Sequence, residues 1–150
     1  MDSVRPEKLF VEECNCKQDL LETLLASVAY SLLGKKLPAG IVVSDVTIDS
    51  RKIQAGSLFV ALTGSRTDGH DYLEQVMASG AAVLVVEEGR VRPEQFADCS
   101  QCVIVVADSH LAYAQIAANL YGQPAQGLTL VGVTGTNGKT TVSYLLEGAL

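Results

Sequence analysis

The sequence predicts an α/β fold, with one domain of alternating strands and helices followed by the opening strand, loop and helix of a second. Three observations carry this. Apolar runs over residues 57–62, 81–87 and 101–107 read as strands, with helical or mixed segments between them. The stretch Gly122-Gln-Pro-Ala-Gln-Gly127 has the Pro/Gly composition of a linker. Beyond it come an apolar run, a glycine loop and a helical spacing of apolar residues, in that order. The expected division is therefore a domain over 1–122, a linker over 123–127, and the truncated start of a second domain over 128–150.

In chain order, residues 1–16 are mixed. Leu20, Leu21, Leu24, Leu25, Val28 and Leu32 form a helical stripe, which predicts a helix over about 17–33 with Gly34 as its stop. Residues 35–40 form a linker, and 41–48 a strand that alternates in its second half. Asp49-Ser50-Arg51 interrupts that strand, a turn follows to Gly56, and residues 57–62 make the first fully apolar strand. After a polar loop over 63–69, an amphipathic helix is expected over 70–79, with Tyr72, Leu73, Val76 and Met77 inward. Gly80 ends it. Strands at 81–87 and 101–107 flank an acidic connection over 89–100. Asp108 or Ser109 then caps a helix that runs to Tyr121.

Composition excludes several classes. The net charge of −6 argues against non-specific binding to nucleic acid or to an anionic membrane. No apolar run approaches the roughly 18 residues of a membrane span. The first residues lack the charged-then-apolar order of a signal peptide, so the cytoplasm is the expected location. The cysteines stand as Cys14-x-Cys16 and Cys99-x-x-Cys102. Four thiolates for zinc, or a Cys99/Cys102 redox pair, are the functional readings. Neither pair has the Gly-rich knuckle or active-site turn those chemistries use, so reduced, partly buried thiols are expected.

The glycine loop is the strongest chemical signal. Residues 128–133 suit a buried strand, and Val142, Leu145, Leu146, Ala149 and Leu150 lie on one helical face. Between them stands Gly135-Thr-Asn-Gly-Lys-Thr140. Glycines let backbone N–H groups close on an anion, the helix N-terminus adds partial positive charge, and lysine reaches the terminal phosphates. The strict G-x-x-x-x-G-K-[ST] pattern is not met, because Val133 stands five residues before Gly138. A shorter loop remains, read as a nucleotide site rather than a turn whose lysine merely starts a helix.

Two further polar segments end predicted strands, Asp49-Ser50-Arg51 and Gly64-Ser-Arg-Thr-Asp-Gly-His70. Ligands of α/β sheets bind at such strand ends. Hydroxyls, loop N–H groups and two arginines suit a uracil edge, ribose or diphosphate. The plainer reading is a turn closed by an Asp–Arg pair, with Asp68-Gly69 capping the next helix.

Residues 131–141 resemble the ATP loop of the muramyl-peptide (Mur) ligases of peptidoglycan synthesis, a loop also shared with folylpolyglutamate synthetases. Residues 49–64, with Thr67-Asp-Gly-His70 and Gly80-Ala-Ala-Val83, resemble the UDP-binding N-terminal domain of those ligases, which folylpolyglutamate synthetases lack. The resemblance covers about residues 41–150. It is strongest to the branch that adds the third amino acid to UDP-N-acetylmuramoyl-L-Ala-D-Glu. It implies that Ile48, Ser50, Ser65, Arg66 and Thr67 contact the uridine substrate. Other members differ at Ser65-Arg66-Thr67, so backbone contacts carry over there better than side-chain ones. It also implies that Gly135, Thr136, Asn137, Gly138, Lys139, Thr140 and Thr141 cradle ATP. Lys139 would neutralise the β/γ phosphates as the catalytic residue, and Thr140 would be a Mg²⁺ ligand. The implied reaction activates a substrate carboxylate as an acyl phosphate, from which an amino acid's amine displaces phosphate.

On this reading the chain is an N-terminal piece of an ATP-dependent carboxylate–amine ligase, inactive alone and retaining weak UDP-substrate binding. No nucleic acid, membrane or obligate protein partner is expected. The alternatives are the sister ligase that adds D-Ala-D-Ala, disfavoured by the Thr-Gly-Thr-Asn-Gly form of the loop, and a non-enzymatic nucleotide-binding module.

Overall fold

The computed structural model describes residues 19–33, 40–64, 67–129 and 131–149. Its centre is a sheet of five strands: β2 (Ser31–Leu32), β4 (Val46–Thr47), β5 (Leu58–Val60), β6 (Val83–Glu87) and β7 (Cys102–Val106). Their spatial order is β2-β7-β6-β5-β4. The run from β4 to β7 is parallel, and β2 closes the far edge antiparallel to β7, with Ser31 opposite Val105. A separate antiparallel pair joins β1 (Asp19–Leu20) to β3 (Val42–Val43).

The apolar runs become central strands because both faces of the sheet are covered. Successive β6 side chains alternate between two apolar clusters, as the period of two in a strand requires. Val83 and Val85 join Leu58, Val60 and Ile104 on one face, under Leu21, Leu24, Ala112 and Ile116. Leu84 and Val86 join Phe59 and Val103 on the other, under Leu73, Val76 and Phe96. Phe96 comes from a 3-10 turn, Pro93–Phe96, inside the acidic connection. Cys102 lies in β7 with its thiol pushed up by burial, and Cys99 is half-buried with its Sγ 2.9 Å from Gln101 Oε1. Cys14 and Cys16 lie outside the described residues.

Two helices are placed as expected. The helix α3 (Ser109–Leu120) starts at Asp108, whose carboxylate accepts from the Leu111 N–H at 2.9 Å. Its Asn119 Nδ2 donates to the Leu24 carbonyl at 2.8 Å, tying α3 to the N-terminal segment. The helix α4 (Lys139–Glu147) begins at Gly138, in the left-handed conformation at φ +80°.

Four expectations are corrected. The helix expected over 17–33 is one turn, α1 (Leu21–Leu24). The leucine stripe does mark burial, since Leu21, Leu24, Leu25 and Val28 are in the core. Beyond them the chain does better by pairing Ser31 and Leu32 with β7 than by extending a helix, a tertiary override of local periodicity. The strand expected over 41–48 breaks between β3 and β4. There Asp45 holds the hydroxyl of the fully buried Ser57, whose Oγ accepts the Gln54 N–H at 2.9 Å. The helix expected over 70–79 opens as a 3-10 turn, Gly69–Tyr72, before α2 (Leu73–Ala78). That change of pitch leaves Leu73 and Val76 buried but turns Tyr72 outward, to 40% exposure. Finally, Leu128, Thr129 and residues 131–133 are irregular and pair with no strand among the described residues. A strand without a neighbour leaves its ladder unmade. Leu128 and Val131 are accordingly exposed. Among the described residues, no helix is long and apolar enough to cross a membrane.

Candidate functional site

The parallel strands end together, and the polar segments after β4 and β5 face each other across a cleft of about 550 Å³. Phe59 and Leu62 supply an apolar floor, Ile48 and Tyr72 apolar walls, and Ser50, Arg51 and Thr67 polar ones. An apolar slot with a few placed polar groups is the usual form of a small-molecule site.

Local hydrogen bonds fix each rim. After β4, Asp49 accepts the Arg51 N–H at 3.1 Å and caps the 3-10 turn Ser50–Lys52. The Arg51 guanidinium closes on both Asp49 oxygens at 2.8 Å. These bonds from Arg51, side chain first and backbone second, hold the Asp49 carboxyl at about 2. The pair is open to water and adds little stability. It does set the direction of the turn. The Ile48 side chain, 45% exposed, is left beside Ser50 on the cleft wall.

After β5, Thr63 and Asp68 pair as an isolated antiparallel bridge, and the Gly69 N–H returns to the Leu62 carbonyl at 2.8 Å. Asp68 accepts the His70 N–H at 3.0 Å and faces His70 Nδ1 at 2.6 Å. At the end of β6, Glu87 accepts from the Ser109 hydroxyl at 2.6 Å and from its N–H at 3.1 Å. Arg90 lies 3.7 Å from Asp68 and 3.8 Å from Glu87.

Both carboxyls sit below their ordinary values. For Glu87 the Ser109 hydroxyl is the main cause, followed by its N–H. For Asp68 burial pushes upward, but the His70 N–H, its imidazole and Arg90 together outweigh it. A depressed carboxyl stabilises the fold above its unfolded pKa, and that stability is lost as pH falls through the folded value. Thermal melting is therefore expected to hold steady above the ordinary Glu value of 4.5 and to fall on acidification below it. Glu87→Gln should reduce that fall while lowering melting at neutral pH. An equal acid slope in the variant would remove Glu87 as its source.

The glycine loop forms a second locus. Gly135 has φ +150° and Gly138 φ +80°, and Lys139 Nζ donates to the Gly135 carbonyl at 2.6 Å. The ammonium thus curls back over the loop. Thr140 and Thr141 stand in the first turn of α4, where helix amides lack intrahelical partners. This donor set fits a polyphosphate. Thr140 offers a single hydroxyl to a cation, and among the described residues no group of three His, Cys, Asp or Glu side chains stands ready to hold a metal. The helix α4 buries none of its side chains.

Of the residues singled out in the sequence, Ile48, Ser50 and Thr67 line one cleft, and residues 135–141 form one continuous loop and first helical turn. Ser65 and Arg66 lie outside the described residues. Phe59, Leu62 and Tyr72 were not anticipated in the cleft. The sequence places the first two in a strand, with nothing local to show that the sheet's edge opens above them.

A mostly parallel, doubly covered sheet with a polar cleft at its strand ends is the layout in which α/β domains take their ligands. The Mur ligase family, catalytic domain, matches residues 42–121, and the chain belongs to that family. It is 42% identical over 125 residues to the UDP-N-acetylmuramoyl-L-alanyl-D-glutamate–2,6-diaminopimelate ligase of Halalkalibacterium halodurans, covering 82% of this chain and 24% of that one. The enzyme of the same description from Clostridium botulinum is 35% identical over 130 residues, covering 87% and 26%. The solved UDP-N-acetylmuramoylalanyl-D-glutamyl-2,6-diaminopimelate–D-alanyl-D-alanyl ligase of Acinetobacter baumannii superposes with a TM-score of 0.57 at 32% identity, covering 84% of this chain and 26% of its own. The chain spans about a quarter of the length of the curated relatives it matches.

Proposed function

We propose that this chain carries the uridine-nucleotide end of an ATP-dependent carboxylate–amine ligase. That ligase adds the third amino acid to UDP-N-acetylmuramoyl-L-Ala-D-Glu in cytoplasmic peptidoglycan synthesis. The observation that carries the reading is the cleft joining Ile48, Ser50 and Thr67 over the Phe59–Leu62 floor. Its apolar walls suit a uracil ring, and its hydroxyls and Arg51 suit ribose and diphosphate. The division at residues 123–127 belongs to the same proposal, with ATP at residues 135–141. Lys139 would face the phosphates, and Mg²⁺ would arrive with its nucleotide and take Thr140 as one ligand. The curated relatives named above are 2,6-diaminopimelate ligases, so that amino acid is the one to try first.

A second reading has one observation in its favour: the Acinetobacter structure is the D-Ala-D-Ala-adding ligase. The two enzymes differ in the peptide their uridine substrate carries. Titration of the chain with UDP, UDP-N-acetylmuramoyl dipeptide, the tripeptide form and ATP, followed by amide shifts, tests both. Uridine ligands should shift residues around Ser50 and Thr67, with the dipeptide form at least as tight as the tripeptide form. ATP should act more weakly and only near 135–141, because among the described residues no paired strand holds that loop. No response to any uridine ligand at millimolar concentration, or a larger response to ATP, refutes the proposal.

A further inference from the structure

The protein contains two histidines, and each makes a hydrogen bond to one end of the segment after β5. His70 is nearly sealed, its side chain 5% exposed. Its Nε2 lies 2.9 Å from the Glu87 N–H, which can only donate. That nitrogen must therefore be bare, and the ring proton sits on Nδ1, facing the Asp68 carboxylate. His110, on the first turn of α3, presents Nε2 to the Thr63 carbonyl at 2.9 Å, which can only accept. Here the proton must sit on Nε2. The two rings hold their protons on opposite nitrogens, each dictated by a backbone partner.

Thr63 and Asp68 are the two residues that pair as the isolated bridge closing this segment. His70 ties the Asp68 end to the tip of β6, and His110 ties the Thr63 end to α3. Glu87 completes the frame by holding Ser109, the residue before His110. We infer that His70 and His110 are positioning residues, a two-point clamp that sets Gly64 and Thr67 at the rim of the cleft for a uridine nucleotide. The ligand half of this inference rests on the function proposed above, whereas the clamp itself does not.

The clamp and its ligand are separable by experiment. In the free protein, ring ¹⁵N spectra should show a bare Nε2 for His70 and a protonated Nε2 for His110. His110→Ala should speed hydrogen exchange at the Gly64 and Gly69 amides, which bond to Thr67 and Leu62 within this segment, and leave Val85 in the core unchanged. His110→Gln, which keeps an N–H for the Thr63 carbonyl, should restore slow exchange. His70→Gln keeps an acceptor for the Glu87 N–H but loses the bond to Asp68, and should speed the Gly69 amide in a folded protein. UDP affinity should fall about three- to tenfold in His110→Ala and His70→Gln and return in His110→Gln, the scale of one net hydrogen bond. Unchanged loop exchange in both variants, or a protonated Nε2 on His70 at neutral pH, overturns the clamp. Faster loop exchange with unchanged UDP affinity overturns its positioning role. If the unaltered protein ignores UDP, the uridine reading falls, and the exchange data still decide the clamp.

Discussion

Phe59→Ala is expected to lower unfolding free energy by about 3–5 kcal/mol. Phe59 is 1% exposed in the parallel strand β5, which lies between β6 and the edge strand β4. Its ring packs in the cluster holding Leu84, Val86 and Phe96, and also forms the cleft floor. Removing it costs the transfer energy of the ring and leaves a cavity within that close-packed cluster, which relaxes only in part. Urea unfolding should show a lower midpoint at an unchanged slope. Uridine affinity should fall as well, since the floor sinks. A loss below about 1 kcal/mol would mean that the cluster closes over the gap, contrary to this packing.

Gly69→Ala should be costly for a different reason. A Cβ there would stand 2.8 Å from the Leu62 nitrogen and 3.0 Å from both the Ala61 Cα and the Leu62 oxygen. All three are backbone atoms of the chain leaving β5, so no side chain can swing aside. The segment must move and stretch the Gly69-to-Leu62 hydrogen bond, at about 1–3 kcal/mol or somewhat more. Gly89→Ala is the control, having φ +77° but nothing within 4 Å of the added carbon. It should cost only the strain of a left-handed alanine, about 1–2 kcal/mol. The difference to seek is therefore at the cleft: Gly69→Ala should abolish the uridine-induced shifts, and Gly89→Ala should leave them. Retained shifts in Gly69→Ala would show that the rim tolerates displacement.

What could be read before folding was whatever depends on near neighbours in the chain. The runs at 57–62, 81–87 and 101–107 announce strands because residues buried on both faces have no polar option, and Asp108 announces a helix start because its carboxylate serves its own next turn. Ser50 and Thr67 were legible as parts of polar breaks at strand ends, and Ile48 only through the family resemblance. Three features were not legible, each for a nonlocal reason. The 17–33 stripe has helical spacing, yet its later residues are claimed by β7, some seventy positions away. Tyr72 changes face because four residues wind as a 3-10 turn, a difference of pitch that spacing alone does not reveal. The histidine protonation states depend on partners at Glu87 and Thr63, far along the chain from each ring.

The antiparallel edge strand also has a consequence for how the protein is made. β2 is the first of the five sheet strands to be synthesised, and its partner β7 is the last. At roughly 5–20 residues per second, Ser31 and Leu32 wait several seconds for Val105 and Ile104. Leu21, Leu24, Leu25 and Val28 gain their sheet face in stages, from Leu58 and Val60 of β5, then Val83 and Val85 of β6, and last Ile104 of β7. The apolar face over 21–28 is therefore complete only when β7 has been made.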